Sequence, residues 1–356
     1  MNAPAGTPTG AEIDAVRLLL QRIGVSPGQL LGSPVSRTPV PTFGEYVGRV
    51  SGAVSSGTRR VYATYWARVL KVWGGRRLDE PTPLEIRELA ESVKAQAVSR
   101  RNSRGGRTAA EHVIAALRCV YRFAVADGLI AEADNPARKV AKPRRLASTR
   151  HALPDARLAE INELAGSTGN DPALDSLLLR LHTETACRRG GALALRACDL
   201  DVEQCLVRLR EKGETVRWQP VSPTLMRHLC AHHEERGSSR RNEQLLRYRT
   251  GRPITSRRYD YLWVRLGGHL PWVATQGVST HWLRHTTLTW VERHFGYAVA
   301  RAYAGHGGRN DAGATATYVR ADLHEVAAAL SALTGEDHPL ARVRTDLVTI
   351  HHPPAA

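Results

Sequence analysis

The sequence predicts a mainly α protein with a small β-hairpin, an α+β chain built as two domains. Three observations carry that reading. Apolar residues recur at spacings of three and four through most of the chain, the mark of buried helical stripes. Alternating apolar and polar residues appear at 205–210 and 215–218, a hairpin signal. At 356 residues the chain exceeds one small domain, and a basic, proline-containing segment divides it.

Residues 1–38 form an N-terminal extension rich in Ala, Gly, Pro, Thr and Ser, in which 11–23 can form one amphipathic helix. The first domain, 39–138, reads as four helices. Thr42 caps one carrying Phe43, Tyr46 and Val47, and Thr58 caps a second carrying Val61, Tyr65, Val69 and Val72 that ends at Gly74 and Gly75. Thr82 caps a third with Leu84, Ile86 and Leu89, and the fourth, 108–126, carries Val113, Ala116, Leu117, Val120 and Phe123. Asn135 and Pro136 close this region. Residues 139–150 are a basic linker in which Pro143 interrupts any continuous helix.

The second domain, 151–336, is mixed. A leucine-rich helix spans 172–183 and another begins at 188–196; the hairpin turns at 211–214. Helices are predicted at 223–235, 241–247, 254–266, 280–294, 297–304 and 321–333, followed by a tail, 337–356. The last helix places Leu323, Val326, Leu330 and Leu333 on one stripe. With no partner left in its own fold, that stripe is expected to meet a neighbouring copy.

Lys and Arg number 50 against 34 acids, a net charge of +16, and the pI is about 10.2. Between 58 and 150 the count is 20 basic against 9 acidic residues, so most of the excess sits there. That balance points to a polyanion. No apolar run approaches the ~18 residues of a membrane span, and 1–10 lacks a basic segment followed by an apolar core. The five cysteines, with no C-x-x-C pair, read as reduced cytosolic thiols. His228 and His232 have the i, i+4 spacing of zinc ligands, but without a third ligand they read as an exposed helix face. No phosphate-binding G-x-x-x-x-G-K-[ST] loop is present, and no metal or other cofactor is expected.

Six residues of the second half form a chemically coherent series: Arg188, Lys212, His281, Arg284, His306 and Tyr318. Guanidiniums hold non-bridging phosphate oxygens in a planar fork. Lys can protonate a departing oxygen, His can accept a proton, and Tyr can attack. Such a set suits metal-free cleavage of a phosphodiester. His281 and Arg284 lie one helical turn apart and share a side, whereas His285 is rotated about 100° from Arg284 and reads as structural.

The words A-C-R-R-G-G-A-L-A-L-R-A-C-D-L-D at Arg188, T-H-W-L-R-H-T at His281 and Arg284, A-G-H-G at His306 and A-T-Y-V at Tyr318 carry a resemblance. Together they resemble the tyrosine recombinase (phage integrase) family. The resemblance implies a two-domain DNA clamp, a helical core-binding domain with a catalytic domain, that cuts and rejoins DNA through a 3′-phosphotyrosine. It assigns Arg188 and Arg284 to the scissile phosphate, Lys212 to the leaving 5′-oxygen, His281 to the tyrosine proton, His306 to a phosphate hydrogen bond and Tyr318 to the attack. Arg189 adjoins Arg188, but the family word selects Arg188. The family usually has an acid three residues after this arginine; here that position is Gly191, with Glu184 as a candidate replacement. The implied partners are double-stranded DNA at attachment sites and three further copies in a homotetramer, with an accessory DNA-bending protein compatible with the family. A bacterial cytoplasmic, nucleoid-associated location follows. Two other functions compete: a type IB topoisomerase and a DNA-binding regulator with a weakened active site.

Overall fold

The computed structural model describes residues 9–26, 39–97, 104–144, 150–211, 215–237, 240–305 and 321–342. The chain divides into two compact units, 1–146 and 147–356.

In the first unit, α1 (Gly10–Arg22) starts at a capping box made by Thr9 and Glu12 and buries none of its residues. The helices α2 (Phe43–Ala53) and α4 (Pro83–Ala95) start the same way, through Thr42 with Glu45 and Thr82 with Glu85. Each pair satisfies two backbone donors that the first turn leaves without partners. The helix α3 (Ser56–Trp73) begins earlier than the sequence predicts, because Ser55 rather than Thr58 is its cap. Its buried face also differs. Trp66, Val69 and Trp73 point inward while Val61 and Val72 are exposed. The indoles hold more apolar surface than the valines and Trp66 donates to the Ala116 carbonyl at 3.1 Å, so they set the rotation of the helix. On α4, Leu84 is 63% exposed, and Ile86, Leu89 and Val93 carry the contact. The long α5 (Arg107–Ala126) buries one face along its whole length. It leaves Gly106, whose φ of 73° and 2.4 Å approach of a notional Cβ to the Lys94 carbonyl oxygen require glycine.

In the second unit come α6 (Asp155–Ser167), α7 (Pro172–Thr185) and the one-turn α8 (Arg189–Leu193). A three-stranded antiparallel sheet follows, in the order β1 (Leu200–Asp201), β2 (Leu206–Arg210), β3 (Val216–Pro220). Its register pairs Arg208 with Trp218 and Arg210 with Val216. Then come α9 (Pro223–Arg236), α10 (Ser256–His269), α11 (Pro271–Gln276), α12 (Thr280–Tyr303) and α13 (Leu323–Thr334). The two helices predicted at 280–294 and 297–304 both form as the two halves of α12, parted at Gly296, where φ 80° and ψ 172° interrupt the ladder.

Three expectations are corrected here. Residues 241–247 are not helical. Gln244 donates its amide to the carbonyls of Leu246 and Ile254 at 3.1 and 2.9 Å, which holds Leu245 and Leu246 in the core as irregular chain. His232 is buried rather than exposed, and its Nε2 accepts from the Arg247 amide at 3.1 Å. Finally, α13 has its partner at home. Val326, Ala329 and Leu330 join Val291, Val299 and Tyr303 in one core cluster. The segment beyond α13 is anchored as well: Glu336 accepts from Arg180 at 2.5 Å, and His338 is buried with its Nε2 3.1 Å from the Cys205 carbonyl oxygen.

Candidate active site

The site begins where α7 ends. Asp171 caps that helix, and at its other end Ala186 takes φ 48°, a left-handed conformation that costs a non-glycine residue of order 1 kcal/mol. Surrounding bonds hold it there. Thr185 Oγ1 donates to the Leu181 carbonyl at 2.5 Å and accepts from the Cys187 amide at 3.2 Å. Burial drops the pKa of His182 to about 4, so its ring is neutral. Nδ1 then donates to the Cys187 carbonyl at 3.0 Å while Nε2 accepts from the Tyr259 hydroxyl at 3.0 Å. Burial also pushes the Cys187 thiol up to about 11, which leaves it an unreactive filler beside the arginine.

Arg188 emerges from this locked turn as the N-cap of α8. Its backbone N–H donates to Glu211 Oε1 at 2.5 Å and its Nη1 to Glu211 Oε2 at 3.0 Å. Glu211 directly follows β2, and its side chain is fully enclosed. The same carboxylate lies 3.8 Å from Arg217 Nε on β3. Gly191 faces it: a Cβ at that position would stand 3.1 Å from Glu211 Cγ. Glu184, the candidate replacement for the acid missing at 191, is committed elsewhere. Its carboxylate accepts from Arg180 at 2.6 Å and from the Ser222 amide and hydroxyl at 2.8 and 2.9 Å. Arg189 points away to an exposed pair with Asp260.

Arg284 approaches from the first half of α12. It is 4% exposed and donates to the carbonyls of Ala186 and Ala304, the latter at 2.7 Å. Burial, with the positive charge of Arg188, lowers its pKa to about 10, so it stays cationic at neutral pH. One turn earlier, His281 has its pKa lowered to about 4 by partial burial and by Arg150, His285, Arg284 and Arg188. Three of those neighbours, Arg150, Arg188 and Arg284, are arginines and stay positively charged at neutral pH. A neutral imidazole among fixed cations is suited to accept a proton. His285 is closer to this ring than its offset from Arg284 suggested: the two imidazoles meet edge to face at 5.7 Å.

Arg188, His281 and Arg284 are thus electrostatically coupled neighbours. Lys212, His306 and Tyr318 lie outside the described residues; Glu211 and Gly305 border the first two. Glu211 N donates to the Thr215 carbonyl at 2.8 Å across the hairpin end. Gly305, at φ 68°, passes so near Arg217 that a Cβ there would lie 2.5 Å from Nε. The sequence reading did not anticipate Glu211, Arg217 or Arg150 in this site. The one signal available for Glu211 was its complementarity to Gly191: an acid where a turn is expected, and a glycine where an acid is expected.

Residues 154–324 match the Phage integrase family. That stretch, within the second unit, is similar to phage integrases. Tyrosine recombinase XerC of Chlamydia caviae is 28% identical over 139 residues, 37% of this chain and 43% of that relative, so less than half of the relative's length is matched. Among solved structures, a lambda integrase tetramer bound to a Holliday junction superposes with a TM-score of 0.58 at 15% identity, covering 85% of this chain and 87% of that one. The Tn1549 transposon integrase in complex with transposon right end DNA gives 0.58 at 14% identity, covering 78% and 98%. At these identities the integrase likeness establishes the fold. Among the described residues no group of three or more His, Cys, Asp or Glu is placed to hold a metal, and no helix is long and apolar enough to cross a membrane.

Proposed function

We propose that this chain is a site-specific DNA recombinase that cleaves and rejoins strands through a covalent 3′-phosphotyrosine at Tyr318. The observation that carries the reading is the grouping of two buried or half-buried guanidiniums, Arg188 and Arg284, with the neutral imidazole of His281. Arg188 and Arg284 hold the non-bridging oxygens of the scissile phosphate, whose charge grows as a fifth ligand approaches phosphorus. Tyr318 Oη attacks phosphorus as its proton passes to His281. The bond from phosphorus to the 5′-oxygen breaks, and Lys212 delivers a proton to that oxygen. His306 donates a hydrogen bond to the phosphate. Attack by a 5′-hydroxyl from a second strand reverses these steps and releases Tyr318.

The partner in this reading is double-stranded DNA at paired sites, engaged by the strongly basic chain through several phosphates. Lambda integrase has been solved as a tetramer on a Holliday junction, and four copies of the present chain on paired sites are proposed likewise. The protein is proposed to work in the cytoplasm, where such DNA lies. Tyr318→Phe decides the chemistry. On a nicked suicide substrate the native chain is expected to form an adduct linked to a DNA 3′-phosphate, leaving a free 5′-hydroxyl. The variant is expected to bind the same DNA and form none. An adduct from Tyr318→Phe would place the nucleophile elsewhere, and no adduct from the native chain would sink the reading. Exchange of strands between two duplexes separates recombination from topoisomerase relaxation.

A further inference from the structure

The acid that the first arginine needs has changed its address in this chain. Glu211 reaches Arg188 from the end of β2, twenty positions along the chain from Gly191. It grips both the backbone N–H of Arg188, at 2.5 Å, and its Nη1, at 3.0 Å. The carboxylate is wholly enclosed, and its second oxygen also faces Arg217 Nε at 3.8 Å. The space it fills is the space a side chain at 191 would take, since a Cβ there would sit 3.1 Å from Glu211 Cγ and 3.3 Å from Oε1. Positions 191 and 211 therefore compete for one volume. Two carboxylates in that volume would repel each other, and none would leave Arg188 and Arg217 facing one another across an enclosed gap.

We propose that Glu211 is the positioning residue for Arg188 in the cleavage reaction, and that Gly191 is the vacancy that admits it. The proposal rests on the recombinase reading above, in which Arg188 holds the scissile phosphate. Glu211 does not touch the phosphate. It fixes the direction of the guanidinium that does, and a bidentate grip on backbone and side chain leaves Arg188 little rotational freedom. A carboxylate returned to 191 can serve the same arginine, provided that 211 is emptied.

The test uses four full-length proteins: native, E211G, G191E and the double variant G191E/E211G. Two readouts are taken: covalent adduct formation on a nicked suicide substrate at saturating DNA, and the guanidinium N–H resonances of Arg188 in DNA-free protein. E211G is expected to slow adduct formation about a hundredfold, the scale of a misplaced reacting group, and to broaden the Arg188 signals. G191E, with two acids in one space, is expected to be at least as impaired. The double variant is expected to recover most of the rate, to within about tenfold of native, and to sharpen the signals. A double variant no faster than E211G, with Arg188 still mobile, overturns the proposal. Glu211 would then be a scaffold residue, and its losses should track the fall in melting temperature. If the native chain forms no adduct, it is the recombinase reading that fails. The Arg188 resonances then decide the positioning claim alone: unchanged signals in E211G refute it, and broadening reversed in the double variant supports it.

Discussion

Replacing Arg284 by Met should nearly abolish cleavage while leaving the fold close to its native stability. The two effects are set by separate quantities. In the folded chain the guanidinium is buried beside Arg188, and its pKa falls to about 10. At roughly 1.4 kcal/mol per tenfold change in proton affinity, the cation is therefore less stable in place than in water by about 3 kcal/mol. Methionine removes that cost and retains much of the apolar packing. Against this, the carbonyls of Ala186 and Ala304 lose their donor. A buried acceptor left unpaired costs about 1–3 kcal/mol, so the two together cost about 4. The terms offset, and urea unfolding should report a change within about 2 kcal/mol. Chemistry has no such compensation. Loss of one preorganised cation should slow adduct formation by about 10²–10³, measured in single turnover on a suicide substrate. A variant that unfolds, or loses more than about 4 kcal/mol, would show that the carbonyl bonds dominate and that Arg284 is chiefly structural. A variant that cleaves within about fivefold of native would remove Arg284 from the phosphate site.

Three further outcomes are expected. Lys212→Ala should cleave ordinary DNA slowly, and sulfur in place of the bridging 5′-oxygen should restore much of the rate because a thiolate leaves without a proton; absence of rescue would mean Lys212 is not the acid. With subsaturating DNA the cleavage rate should be flat from pH 8 down to about pH 5, because His281 has a pKa lowered to about 4 and is already deprotonated there. A rate that falls with a midpoint near 6.5 as pH drops would show an unperturbed base, and Arg150→Ala, which removes one of the cations on that ring, should move the fall upward. Removing 343–356 should spare binding to a single half-site and impair cooperative assembly on paired sites, whereas cutting at 337 also removes buried His338 and should destabilise the second unit; full recombination by the shorter chain would exclude 343–356 as the link between copies.

The elements that the sequence made legible are those whose instructions are local. Thr42 with Glu45 and Thr82 with Glu85 announce their helices within four residues, and both capping boxes form. The hairpin follows from alternation alone, as its register confirms. Where the deciding contact is distant, local pattern misled. Leu245 and Leu246 look helical beside their neighbours, but Gln244 finds carbonyls at Leu246 and Ile254 and the segment stays irregular. Leu158, Ile161 and Leu164 have helical spacing, but α6, absent from the sequence prediction, has Pro154 at its N-cap, which supplies no side-chain cap and so no local start signal. Val61 and Val72 gave way to Trp66 and Trp73 because burial on α3 is settled by α5, not by α3. In the site, motif words sufficed to nominate Arg188, His281 and Arg284. Only an acid at 211 where a turn is expected, beside a glycine at 191 where an acid is expected, hints at their link, since complementarity of a void and a side chain across twenty positions leaves no periodic trace.

The home packing of α13 bears on how copies of this chain meet. Val326, Ala329 and Leu330 are sealed against α12, and Glu336 ties the following turn to α7 through Arg180. A protomer closed in this way owes none of the stability of α13 to a neighbour. Its melting temperature should not depend on protein concentration, unlike that of an obligate oligomer. In the tetramer proposed above, contacts between protomers could then form and part many times without opening either core, as would suit an assembly that comes apart once its DNA is rejoined.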